Sequence, residues 1–333
     1  MLKNFLKKIY ISKQFSYLAE ILGSPWKGKG AILMYHRVLP DEKINEDLNI
    51  GLAVPSSVFE KQIKALTTKY KLCTMDEFIS GLRKDKNEFK ITITFDDGYK
   101  DNLLHALPIL EKFNVPASIY ITTSFLKEEV NLWWLELMET IQNNSKINFQ
   151  FENKYFNLNL NNQKKKLLAY SSLREIFLNL KIDKQNEFLE IITKKKQRKN
   201  YSDLCLNKEE LKILDKHKLI TIGSHSHNHL NFNILNTEEI KFEVNKSLKI
   251  LEDLLDHKIE HFCYPYGGQK QASDREYKII EELNFSSAVT GRVYPVDKYD
   301  LFSLPRIYVG KNVCDKAIMN HTSGFYNLVS KFI

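Results

Sequence analysis

At 333 residues, with 43% hydrophobic and 12% aromatic side chains, the chain can bury a sizeable core and is not a disordered segment. A formal net charge of +8 suits phosphate, anionic lipid or acidic glycan and selects none of them; with no zinc-finger spacing, RNP-like sequence or helix-turn-helix signature, no nucleic-acid partner is expected. The four cysteines, Cys73, Cys205, Cys263 and Cys314, lie far apart without a CxxC, which argues against a disulfide framework and for a reducing compartment, and no apolar run is long enough to span a bilayer.

The first ten residues lack the apolar core and small-residue cleavage site of a secretion signal. Leu2, Phe5, Leu6 and Ile9 share one helical face, with Lys3, Lys7 and Lys8 on the others. Residues 1–25 are therefore read as an amphipathic segment, packed on its own domain or resting on a membrane surface. The expected location is the cytoplasm, with a peripheral contact to the inner face of the membrane.

Residues 26–333 read as one large domain. Residues 31–36 (Ala-Ile-Leu-Met-Tyr-His36) predict a buried strand with a polar tip. Ser57-x-x-Glu60 predicts a capping box for a helix carrying Phe59, Ile63 and Leu66 on one face, and Thr74-x-x-Glu77 opens a second helix. A strand over 91–96, a helix near 100–113 and a strand near 117–122 follow. The pattern breaks at about 127–206, a stretch holding Trp133-Trp134, an Asn-rich patch and two lysine clusters. It predicts a mostly helical insertion with a hairpin near 147–160. Its lysine runs read as solvated faces, and the paired tryptophans as packing or as the rim of a sugar cleft. Order returns with a helix at 208–217 and a strand at 219–224. A helix over 237–256, a strand at 261–264, a helix at 273–284 and strands near 286–290 and 304–309 complete the chain. Strands alternating with helices predict a mainly parallel α/β sheet, in which ligands gather at the carboxyl ends of the strands.

Three groups of residues fall at those ends. Ile-Thr-Ile-Thr-Phe runs into Asp96-Asp97-Gly98, two adjacent acids that repel unless something positive binds there. Residues 223–229 read Gly-Ser-His225-Ser-His227-Asn-His229. One carboxylate and two imidazoles make the open ligand set of a catalytic divalent metal, leaving the second carboxylate free to act as a base. Tyr266, in Tyr264-Pro265-Tyr266-Gly267, and His36 lie at two further strand tips.

These segments, with Thr94 to Gly98 first, Ser224 to His229 second and Tyr264 to Gly267 third, resemble in order the first three motifs of the polysaccharide deacetylases, the NodB-like carbohydrate esterases. The likeness covers residues 31–126 and 207–310. It implies a distorted, incomplete (β/α) barrel and a hydrolase for carbon–nitrogen amide bonds, removing the acetyl group of an N-acetylated amino sugar in a glycan or glycolipid, in cell-surface polysaccharide biosynthesis. Carried onto this chain, Asp97, His225 and His229 resemble the metal ligands, for Zn2+ or else Co2+ or Ni2+. Asp96 resembles the base, and the backbone N–H of Tyr266 the oxyanion donor. His227 falls between the two ligand histidines and is read as a bystander. Leu33-Met34-Tyr35-His36 resembles the branch whose first strand reads Met-Tyr-His in a circularly permuted barrel, which makes His36 the acid; the late alternative is His321 in Met319-Asn320-His321. Two departures stand out. The arginine common in the third motif is replaced by Cys263, with Arg306 as the candidate substitute, and the Asp-Trp of the fourth motif is not evident. An O-deacetylase or an amidase on a small non-sugar amide would use the same residues. A reading of another class is an inactive glycan- or nucleic-acid-binding module.

Overall fold

The computed structural model describes residues 28–44, 51–83, 89–292, 296 and 300–323. The amphipathic segment over 1–25 lies outside them. Among the described residues no helix is long and apolar enough to cross a membrane.

The chain opens with β1 (Gly30–Tyr35), β2 (Arg37–Leu39) and β3 (Ala53–Pro55), followed by α1 (Ser56–Thr67), β4 (Lys71–Leu72) and α2 (Met75–Arg83). Next come β5 (Lys90–Phe95), α3 (Leu107–Phe113) and β6 (Ala117–Ile121). The region from 127 to 206 contains α4 (Trp133–Gln142), the β7 (Lys146–Phe151) and β8 (Lys154–Asn159) hairpin, α5 (Gln163–Leu178) and α6 (Ile182–Thr193). Then follow α7 (Lys208–Asp215), β9 (Ile220–Ser224), α8 (Thr237–Leu255), β10 (His261–Cys263), α9 (Asp274–Glu282), β11 (Ser287–Val289), β12 (Ile307–Tyr308) and α10 (Asp315–Thr322).

The main sheet is parallel in the order β11-β10-β9-β6-β5-β1-β12, with β4 paired to the start of β5. It curls into an incomplete (β/α) barrel, as the motifs imply. Residues 304–308 span its gap: Leu304 bridges Val289 of β11, and Ile307 pairs with Leu33 of β1. Alternate strand residues face opposite sides of a sheet. Ala31 and Leu33 pack with the aliphatic core beneath the helices. Ile32, Tyr120, Cys263, Val289 and Leu304 instead cluster with Met75, Phe78, Ile79 and Leu82 of α2, which plugs the amino ends of the strands. The carboxyl ends stay open for the site. A separate apolar core joins the two tryptophans to the hairpin and to α5 and α6.

Local chemistry departs from the sequence reading in two places. Thr74 and Glu77 form the expected reciprocal cap. The Ser57–Glu60 box does not form: α1 starts two residues earlier than that box requires, with Pro55 as its N-cap, and the Asp41 carboxylate accepts from the Ser57 N–H at 3.0 Å and from the Ser57 hydroxyl. A carboxylate held in tertiary contact thus replaces the local cap. Ahead of α3 the chain widens into a π turn over Asn102–Ala106, next to Pro108, which has no N–H for an α-helical bond to Leu104.

Candidate active site

β5 delivers Asp96 and Asp97 to the open end of the barrel. The Asp96 N–H still donates to Tyr35 O at 3.1 Å, continuing the ladder, and the chain then turns sharply, with φ of +75° at Asp97 and +83° at Gly98. Asp97 tolerates this left-handed conformation; Gly98 needs it without a side chain, since a Cβ there would meet Ile121 at 3.2 Å.

The loop after β9 brings its histidines back onto Asp97. Nε2 of His225 lies 3.5 Å from Asp97 Oδ1, and Nε2 of His229 lies 3.3 Å from the same oxygen. His225 Nδ1 sits 2.7 Å from the Cys263 carbonyl, which can only accept, so Nδ1 carries a proton and Nε2 is the nitrogen that faces Asp97. Positive φ at Ser226 (+64°) and His229 (+54°) tightens the loop. The His229 N–H donates to Ser226 Oγ, and the Glu243 carboxylate accepts from the Asn228 backbone and side chain at 2.7 Å each. Burial pushes the His229 imidazole down to about 3, into the neutral form that a metal ligand requires. His227 turns away, its Nδ1 2.8 Å from Thr123 Oγ1.

Asp96 has different company. Arg306 forks onto both its oxygens, at 2.6 and 2.7 Å, and also reaches Thr94 Oγ1, the Thr290 carbonyl and Cys263 Sγ. Burial raises the Asp96 carboxyl, but the charge and hydrogen bonds of Arg306 outweigh it and hold the group well below the usual carboxylate range. His36 follows β1 with its Nε2 3.9 Å from Asp96 Oδ2. Asn102 donates to the His36 carbonyl at 2.9 Å, and the buried Arg37–Asp101 pair, at 2.8 Å, braces the same strand tip. Tyr266 sits after Pro265 with φ of +60°, its ring 4.5 Å from that of His229. His321 lies on α10, which packs against α1, and is not among the residues lining the cavity.

A cavity of about 270 Å³ joins these groups. Its floor includes His36, Asp96, Asp97, His225, His229 and Arg306. One wall comes from the 127–206 region, namely Trp133, Trp134, Tyr170 and Arg174. The tryptophans are both packing and rim. Trp133 stacks on Phe177 at 4.0 Å while donating to the Tyr266 hydroxyl, and Trp134 donates to Tyr99. Tyr170 and Arg174 escaped the sequence reading. The usable signal was that residues 170, 173, 174 and 177 share one helical face.

Among the described residues two sets of side chains are close enough to share a cation: Asp97 with His225 and His229, and Asp96 with His225 and Cys263, each with ligand atoms within 4.8 Å of one another. The first fits a divalent metal, because two buried imidazoles turn Nε2 toward the same oxygen of one carboxylate. The second fits poorly. Arg306 occupies both Asp96 oxygens, and burial raises the Cys263 thiol away from the thiolate a metal needs.

The sequence profile of the family described as polysaccharide deacetylase matches residues 83–286. The Bacillus subtilis (strain 168) protein YxkH, which carries a provisional polysaccharide deacetylase name, is 29% identical over 139 residues, 41% of this chain and 47% of its own. This chain thus spans about half the length of that curated relative. The Streptococcus pyogenes deacetylase PplD in complex with acetate superposes with a TM-score of 0.58 at 17% identity, over 88% of this chain and 97% of that one. IcaB from Ammonifex degensii gives a TM-score of 0.57 at 16% identity, over 89% and 97%. At these identities the structural likeness speaks for the fold alone.

Proposed function

Because the chain belongs to the polysaccharide deacetylase family, we propose that it hydrolyses the acetamide of an N-acetylated amino sugar in a glycan or glycolipid, releasing acetate and a free amine. The observation that carries this reading is the division of labour between neighbouring acids, with Asp97 facing two imidazoles and Asp96 clamped by Arg306. Asp97, His225 and His229 would hold a divalent metal, zinc by its tolerance of His/carboxylate sites, and when bound it supplies Lewis acidity toward the amide carbonyl and an acidified water.

The chain's own groups supply the rest. Asp96, kept ionised and oriented by the Arg306 fork, accepts the proton of the attacking water. That water adds to the carbonyl carbon, and the backbone N–H of Tyr266 donates to the oxygen on which charge develops; losing such a donor typically costs about 10²–10³ in rate. His36, across the cavity floor, gives a proton to the nitrogen as the carbon–nitrogen bond breaks. The aromatic wall of Trp133 and Trp134 offers flat apolar faces to a sugar ring. The setting that fits the reducing-compartment cysteines is the cytoplasmic side of cell-surface polysaccharide assembly, on a lipid-linked or nucleotide-linked sugar.

The test is acetate release from a panel of N-acetylated and O-acetylated sugars, with and without a chelator, alongside metal analysis of His225→Ala and His229→Ala. Chelator-sensitive release from N-acetylated sugars is expected, with metal content severely reduced in both variants. Normal metal occupancy in both would sink the ligand assignment, and release from O-acetylated sugars alone would favour an esterase.

A further inference from the structure

The wall contributed by α5 holds a cation that the acetamide chemistry does not use. Arg174 lines the cavity, half-buried, with its guanidinium carbon 5.4 Å from the centre of the Tyr266 ring. Tyr266 in turn lies edge-on to His229, so the guanidinium stands one ring away from the candidate metal ligands. Among the described residues no carboxylate lies within ion-pair distance of Arg174. The acid beside it in sequence, Glu175, is diverted outward to Lys270 at 3.1 Å. The acids on the cavity floor are engaged too, Asp96 by Arg306 and Asp97 by the histidines. The helix carrying Arg174 cannot swing away easily, because Phe177 stacks on Trp133 and Leu173 is buried beneath it. Tyr170, one turn earlier, lines the same wall, and burial pushes its phenol up to about 12, so it stays a neutral donor.

We propose that Arg174 recognises an anionic group carried by the substrate next to the N-acetylated sugar, a phosphate or a carboxylate. This rests on the deacetylase reading only in taking that sugar as the occupant of the cavity. A fixed guanidinium fork matches either oxyanion, and a half-buried site strengthens the attraction relative to water. Tyr170 adds a hydroxyl on the same side.

The experiment is calorimetric titration of the full chain with three probes: neutral N,N′-diacetylchitobiose, UDP-N-acetylglucosamine for phosphate, and N-acetylglucosamine linked to glucuronic acid for carboxylate. One anionic probe should bind about tenfold or more tightly than the neutral one, the worth of a single charge-assisted contact. That preference should weaken with salt, vanish in Arg174→Ala and Arg174→Gln, and survive in part in Arg174→Lys. The arm showing it identifies the anion. No preference in the wild-type protein, or a preference retained in both neutral variants, would overturn the assignment. Acetate assays on the same probes separate the two claims: binding preference without any acetate release leaves the anion contact standing and removes the deacetylase reading.

Discussion

Asp96 and Asp97 are adjacent in sequence, yet strand alternation and one left-handed turn give them opposite surroundings. The base assignment predicts that Asp96→Asn keeps its metal content while turnover falls by about 10²–10⁴, the usual worth of a general base; near wild-type turnover at neutral pH would remove Asp96 from that role. His36→Ala should likewise fold and bind metal but turn over slowly, whereas His321→Ala should change little; the reverse ranking would hand the acid to His321. The Arg306 fork makes a separate claim about stability. Breaking a buried pair strands a charge, at about 3–5 kcal/mol, so Arg306→Ala should lower the urea midpoint sharply. Arg306→Lys, which keeps charge without the fork, should fall between. Asp96→Asn combined with Arg306→Met should cost less than the two single changes together, and strict additivity would mean the pair is not coupled.

Among the elements, the start of α1 separates local from tertiary signals. Asp41 caps it from another segment, and hydrogen bonds from Ser57 hold the Asp41 carboxyl below its usual range. Asp41→Ala should cost about 0.5–1 kcal/mol, the low end for an exposed cap. Because the folded-state pKa is depressed, that contribution is present above the ordinary carboxylate range and fades as pH falls through it. Denaturation curves of wild type and Asp41→Ala should therefore converge toward pH 3, and a constant gap would point to packing instead. This is also where sequence reading reached its limit. The strands ending in Asp96, His225 and Tyr266 were legible because β-branched runs, terminal glycines and clustered ionisable groups are local signals. The Thr74–Glu77 cap was legible for the same reason. What stayed hidden depended on contacts made across the chain: Asp41 displacing the Ser57 box, the Cys263 carbonyl orienting the His225 ring, and a face of α5 turned toward a cavity formed largely by other segments. Arg306 could be named only as a candidate, since nothing within its own stretch points toward Asp96.

On the scale of the molecule, the 127–206 region carries an apolar core of its own, separate from the one between the barrel strands and their helices. The central strands β5, β6 and β9 are paired on both sides, whereas β8 pairs only with β7 and exposes most of its residues. Hydrogen exchange should therefore be slowest in β5, β6 and β9 and much faster in β8; equal protection would show a single cooperative unit. The closing segment 304–308 has a consequence in time. His36, Asp96 and the histidines are all synthesised well before Arg306. At about 5–20 residues per second, roughly 15–50 s separate the emergence of His36 from that of Arg306. Until Arg306 emerges, β1 and, once made, β11 have unpaired edges open to strand addition from other nascent chains, and Asp96 lacks the Arg306 counter-charge. One short stretch then closes the barrel and completes the surroundings of Asp96 in the same event, so the proposed base is assembled only when the hazard of an open sheet ends.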